Sequence, residues 1–170
     1  MASTPDAADN PGAIQAFIGI GANLGDPQEQ VRIAFRALAT LPDTRLLATS
    51  AIYRTSPVGA AGQPDYFNAV ARLETRLAPA VLLAGLLEIE GCYGRVRTTR
   101  NAPRTLDLDL LLYGALRIDQ PGLNVPHPRM HLRRFVLEPL AEIAPAAEVP
   151  GRGSASQLLA AVMEQAVTRT

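Results

Sequence analysis

Thr105-Leu106-Asp107-Leu108-Asp109-Leu110-Leu111-Leu112-Tyr113 is the stretch on which the fold turns. Side chains alternate along a strand, so Leu106, Leu108 and Leu110 share one face. Asp107 and Asp109 share the other, with their carboxylates about 7 Å apart along the backbone. The run reads as a buried strand, with the two acids outside the leucine face.

Upstream, residues 14–20 form a short apolar, β-rich run that stops at the turn Gly21-Ala22-Asn23-Leu24-Gly25. Asp26 caps a helix with Pro27 at its first position, and Val31, Ala34, Phe35, Leu38 and Leu41 recur at helical spacing until Pro42. Residues 46–54 and 67–75 suit strands, and the glycine- and proline-rich loop 55–64 between them reads as mobile and functional. Pro79 opens a second helix reaching about residue 93, with Val81, Leu82, Leu86, Leu87 and Ile89 as its apolar stripe.

Downstream of the acidic strand, Pro121, Pro126 and Pro128 predict an irregular passage. Two helices fit 132–142, disturbed by Pro139, and 155–167. The order β-α-β-β-α-β predicts an α+β fold, a ferredoxin-like βαββαβ sandwich with both helices on one face and additional C-terminal helices. Residues 1–13 read as a disordered tail and 14–170 as a single domain.

Sixteen basic side chains balance 16 acidic ones in 170 residues, and all 16 basic residues are arginine. A chain without lysine has no phosphate-binding loop of the G-x-x-x-x-G-K-[ST] kind, no Schiff-base chemistry and no protein-kinase machinery. Phosphate, if handled, falls to arginine, a planar fork that grips oxygen pairs bidentately. Cys92 is alone, so no internal disulfide forms, and no apolar run is long enough to span a membrane. A cytoplasmic chain with neither signal peptide nor membrane contact is the expectation.

Two carboxylates on one face repel unless a cation sits between them, and Mg²⁺ binds through one or two carboxylates plus substrate phosphates. Immediately upstream, Arg95, Arg97, Arg100 and Arg104 place four positive charges in ten acid-free residues. His127, Arg129, Arg133 and Arg134 add a second basic segment beside Phe135. Together they match the charge of a triphosphate held with metal. Tyr66 and Asn68 put a flat ring and an amide on one side of a strand, an arrangement suited to a planar heterocycle. Glu90 is expected as a solvated helix residue able to pair with the basic loop. Gly19-x-Gly21 has the wrong third-glycine spacing for a dinucleotide turn and reads as turn chemistry. An RNA-binding module is disfavoured because the acidic strand has no aromatic before Tyr113.

The run from Arg100 through Leu111, Arg100-Asn101-Ala102-Pro103-Arg104-Thr105-Leu106-Asp107-Leu108-Asp109-Leu110-Leu111, resembles the signature of the 6-hydroxymethyl-7,8-dihydropterin pyrophosphokinase family of folate biosynthesis. The likeness extends through Ile18-Gly19-Ile20-Gly21, Tyr53-Arg54-Thr55-Ser56-Pro57, Gln63-Pro64-Asp65-Tyr66-Phe67-Asn68, Val125-Pro126-His127-Pro128 and Arg133-Arg134-Phe135. The resemblance implies transfer of diphosphate from ATP to a pterin alcohol, with AMP leaving. It implies two Mg²⁺ on Asp107 and Asp109, with Arg95 and Arg104 catalytic beside them. ATP would be bound by Glu90, Arg95, Arg97, Arg104, His127 and Arg133. Thr55 and Val58 would touch the pterin, Asn68 would bond its edge, and Tyr66 and Phe135 would stack on its faces. Small-molecule substrates, no nucleic acid, no membrane and a monomer are expected. Asn101 and Gly122 depart from a tryptophan and an arginine found in some members, and Arg117 or Arg129 is the expected substitute for the latter. A metal-dependent nucleotidyltransferase, which would release pyrophosphate, is the rival reading.

Overall fold

The computed structural model describes residues 12–57, 62–93 and 106–170. Val58, Arg95, Arg97, Arg100, Asn101 and Arg104, together with most of the 1–13 segment, lie outside the described residues. The elements are β1 (Ile14–Ala22), α1 (Pro27–Leu38), β2 (Thr44–Thr49), β3 (Tyr53–Thr55), β4 (Tyr66–Thr75), α2 (Pro79–Cys92) and β5 (Asp107–Tyr113). They continue with β6 (Ile118–Gln120), β7 (Leu123–Val125), a 3-10 turn at Met130–Leu132, α3 (Arg134–Ile143), β8 (Glu148–Val149), β9 (Gly153–Ser154), α4 (Ala155–Ala160) and β10 (Thr168–Arg169).

The main sheet is antiparallel at every pairing and runs β10-β3-β4-β1-β5, with β2 also on β4. Long β4 takes β2 along one half of its edge and β3 along the other. The strand expected at 46–54 is therefore two strands, parted at residues 50–52. Ser50 explains the break: its backbone N–H donates to Val70 O, and its hydroxyl accepts from Val70 N at 2.9 Å.

Period-2 alternation divides the core between the sheet's two faces. Ile18, Ile20, Ala71, Leu73, Leu108 and Leu110 face α1 and α2, meeting Val31, Leu38, Leu82 and Leu86. Phe17, Val70, Leu111 and Leu112 face the opposite way, onto Met130, Val136 and Leu140 around α3. A bulge opposite the Phe17/Ile18 step lets Leu111 and Leu112 both serve that second layer.

α1 begins as its sequence indicates, with Asp26 Oδ1 accepting from Glu29 N at 3.2 Å and Pro27 at the first position. In α2 the buried stripe is Leu82, Leu86 and Glu90, whereas Val81 and Leu87, expected inside, are exposed. Three corrections fall downstream. The proline-punctuated passage contains the β6–β7 hairpin, turned by Pro121-Gly122 with Gly122 at φ +79. Pro139 sits inside an unbroken α3. The last helix stops at Ala160 instead of 167, and β10 follows it. α1 and α2 share one face of the sheet, and the additional helix α3 covers the other. Among the described residues no helix is long and apolar enough to cross a membrane.

Glu90, expected in solvent, is only 1% exposed, and its Oε1 accepts the Leu108 N–H at 2.7 Å. Here α2 caps the outer edge of β5, a strand with no sheet neighbour on that side among the described residues. Glu90→Ala should cost about 1–3 kcal/mol by leaving that buried N–H without this acceptor. Glu90→Gln keeps an acceptor oxygen and should cost less; equal losses for the two variants in urea titrations would contradict the edge-capping role.

Candidate functional site

One end of the sheet is hollow. Gly19 and Gly21 lie inside β1, not in the turn the sequence suggested, and both face the α3 side. In register, Gly21 sits between Asn68 on β4 and Asp107 on β5, and Gly19 between Val70 and Asp109. Strand glycines with side-chain-bearing neighbours leave a trough. A Cβ at Gly21 would come to 3.2 Å from Asn68 Oδ1, and one at Gly19 to 3.3 Å from Leu111 Cδ2. The trough floors a cleft of about 1020 Å³.

Around that cleft stand Thr55, Tyr66, Asn68, Asp107, Asp109, His127, Arg133 and Phe135, whereas Glu90 does not. Sheet topology explains the gathering: the C-terminal ends of β1 and β3 and the N-terminal ends of β4 and β5 meet at this end. Glu90 belongs instead to the buried back of β5. The sequence missed Gly19, Gly21, Ser56, Gln63 and residues 165–167 as lining. Two glycines at i and i+2 in an otherwise β-rich run were the available signal for the floor.

At one end of the cleft the chemistry is amide and aromatic. Asn68, 7% exposed, donates from Nδ2 to Thr55 Oγ1 at 3.2 Å, which fixes the amide and holds Oδ1 over the Gly21 backbone. Tyr66 OH reaches Gln63 Oε1 at 3.4 Å.

At the other end the chemistry is charged. The Arg133 guanidinium stands over the Phe135 ring, 5.4 Å from its centroid. Burial and then Arg129 depress the Arg133 pKa, while Asp109 and Asp107 oppose that shift. His127 follows a cis Val125–Pro126 peptide, and its N–H donates to Leu111 O at 2.9 Å, which docks it beside the acidic strand. Its Nδ1 accepts the Arg129 N–H at 3.1 Å, so the ring proton belongs on Nε2. Burial first, then Arg133 and Arg129, push its pKa down to about 4, against a smaller upward pull from Asp107.

His127 also borders a smaller cleft of about 520 Å³ with Arg117, Asn124, His131 and Arg152. Arg117, one expected substitute for the arginine missing at 122, lines this second cleft. Its guanidinium lies against Gly151, whose φ of +76 disfavours any larger residue there. Neither Arg117 nor Arg129 borders the main cleft.

A carboxylate pair, a fixed arginine over an aromatic ring and a neutral imidazole, in one trough with an anchored amide and a second aromatic ring, suit a phosphorylated nucleotide meeting a flat heterocycle. The family model for 7,8-dihydro-6-hydroxymethylpterin-pyrophosphokinase (HPPK) matches residues 17–145. The chain belongs to this family. It is 46% identical to the 2-amino-4-hydroxy-6-hydroxymethyldihydropteridine pyrophosphokinase of Pseudomonas aeruginosa over 155 residues, covering 91% of this chain and 96% of that protein. The protein of the same name from Haemophilus influenzae is 45% identical over 152 residues, covering 89% and 92%. Among solved structures, a Plasmodium falciparum HPPK-DHPS chain superposes with TM-score 0.68 at 12% identity. That match covers 89% of this chain and 44% of the other, and shows a shared fold. The HPPK chain thus spans less than half of that longer protein.

The low His127 pKa has a measurable consequence. The unfolded chain takes up the imidazole proton near pH 6.5, the folded chain only near pH 4. Lowering the pH through that window therefore favours unfolding and removes stability. His127→Gln should lose less stability than the wild type between about pH 7 and about pH 4.5 in denaturant titrations. Equal losses would put the imidazole in water.

Proposed function

We infer that this protein transfers the diphosphate of ATP to the hydroxymethyl group of 6-hydroxymethyl-7,8-dihydropterin and releases AMP, a step of folate biosynthesis. Membership of the family along residues 17–145 carries the reading. The near-complete coverage of relatives that bear the pyrophosphokinase name supports it. The sheet order, β2 and β3 on β4, then β1, then β5, supports the finer description of a ferredoxin-like sandwich within a single unit of 14–170.

The donor set suits magnesium. Asp107 and Asp109 offer hard oxygens on one wall, and no set of three or more His, Cys, Asp or Glu able to cage a metal occurs among the described residues. Mg²⁺ fits such a site because it keeps waters and takes its remaining ligands from substrate phosphates. Asp107 and Asp109 would hold two such ions, which supply charge neutralisation along the triphosphate.

The chain's own residues then position the reactants. Asn68, its Nδ2 held by Thr55, presents Oδ1 to the N–H edge of the pterin, between Tyr66 and Phe135. Arg133 grips phosphate oxygens as a fixed fork, and neutral His127 donates from Nε2 without needing to be protonated first. The basic run with Arg95, Arg97 and Arg104, and Val58 in the 55–64 loop, would complete the enclosure. The pterin hydroxymethyl oxygen attacks the β-phosphorus in line as AMP departs, a reaction governed by positioning and charge stabilisation.

Purified chain with ATP, Mg²⁺ and the pterin alcohol should yield AMP and pterin diphosphate in equal amounts. Pyrophosphate in place of AMP would indicate a nucleotidyltransferase, and no turnover by folded protein would refute the assignment. Asp107→Asn and Asp109→Asn should each lower kcat by about a hundredfold or more. Their melting temperatures should change little, since the leucine face of β5, and not the carboxylates, packs the core. Loss of the fold instead would make the pair structural.

A further inference from the structure

Residues 161–170 lie beyond the stretch that the family model matches, which ends at 145. They turn back across the cleft. β10 pairs with β3, placing Thr168 opposite Arg54, and Thr170 donates to Ile52 O from both its N–H and its hydroxyl. Between α4 and β10, Gln165, Ala166 and Val167 form part of the cleft wall.

Gln165 is held at both ends of its amide. Nε2 donates to Leu132 O at 2.8 Å, and Oε1 accepts from Arg134 N at 2.9 Å. Arg134 returns the grip, its Nη1 donating to the carbonyls of Met163 and Gln165 at 2.9 and 2.8 Å while its Nε rests on Glu138 at 2.7 Å. The two peptide groups that Gln165 engages flank Arg133.

The location explains the arrangement. α3 starts at Arg134, and the first N–H groups of a helix have no partner within it. Serine, threonine, aspartate or asparagine ordinarily supplies the missing acceptor from the N-cap position. Here the N-cap is Arg133, whose side chain makes no capping bond and borders the cleft. An arginine cannot accept a hydrogen bond. Gln165, 31 residues away, supplies an acceptor to the first of these groups, the Arg134 N–H.

The geometry points to Gln165 as a positioning residue of the transfer site: it caps α3 in place of Arg133, leaving Arg133 to face the cleft and setting where Phe135 stands one residue into the helix. The inference deepens the pyrophosphokinase reading and rests on it for the identity of the ligands. Residues 165–167 are on this account a wall of the substrate site that the family pattern over 17–145 does not contain.

Gln165→Met keeps side-chain length and removes both hydrogen bonds; Gln165→Glu keeps the acceptor at a helix N-terminus, where negative charge is favourable. In the full chain, Gln165→Met should raise the KM for ATP and for the pterin alcohol about tenfold while kcat stays within about twofold. Gln165→Glu should recover most of that loss. Amide exchange at Arg134, followed by NMR without substrate, should quicken about tenfold or more in Gln165→Met and little in Gln165→Glu. Should Gln165→Met not fold, Arg134→Lys, which loses the fork onto residues 163 and 165, takes its place with the same expectation for KM. Unchanged KM values, a fall in kcat that merely tracks a lower melting temperature, or no rescue by glutamate would overturn the assignment. A wild-type chain that makes no AMP would refute the pyrophosphokinase reading alone, and amide exchange at Arg134 would still decide the capping role.

Discussion

The register of β5 against β1 is the constraint on which the rest depends. Leu106, Leu108 and Leu110 are each at most 5% exposed, packed with α1 and α2, so Asp107 and Asp109 must look the other way. A slip of one residue would exchange the two sets, driving two carboxylates into the core and three leucines into the cleft. Both edges of the strand guard against it. On one side Ile20 pairs with Leu108 and Ile18 with Leu110; on the other, Glu90 holds the Leu108 N–H and the His127 N–H holds Leu111 O. The contact that docks His127 is thus also one that fixes the strand, and the site's geometry is a by-product of the sheet's.

Electrostatics follow from this placement. Across the chain, acids and bases balance, yet at the cleft Asp107 and Asp109 face His127 and Arg133 over a floor of bare backbone. Burial first, and then neighbouring guanidinium groups, keep His127 neutral, with its Nδ1 accepting from the Arg129 N–H. With no lysine in the chain, fixed positive charge at the cleft comes only from arginine. Arginine's planar fork and weak hydration suit it to partly buried phosphate contacts.

Much of this was legible in the residues because it is local. The Asp-Leu-Asp-Leu alternation gave both faces of β5, and Asp26-Pro27 and Pro79 gave the starts of α1 and α2. The cleft gathered its described candidates because they lie at strand ends or at the start of α3, where topology rather than local sequence brings them together. What escaped notice was non-local or ambiguous. Gly19 and Gly21 read as a turn because glycine marks turns more often than it floors a strand. Glu90 read as solvated because nothing nearby reveals that it meets the Leu108 amide. Gln165 carries no signal at all, since a cap supplied from 31 residues away leaves an arginine at the N-cap as its only trace. The helix expected to reach 167 stops at 160 because the chain is drawn into β10 and the contacts with Arg134.

The most direct test of the account is a crystal structure of the chain with Mg²⁺, a non-hydrolysable ATP analogue and the pterin alcohol. The account predicts metal density on both Asp107 and Asp109, the pterin between Tyr66 and Phe135 with its edge on Asn68, and its hydroxymethyl oxygen in line with the β-phosphorus. A nucleotide bound away from the Asp107 and Asp109 carboxylates, or a pterin lodged outside the trough over Gly19 and Gly21, would contradict it.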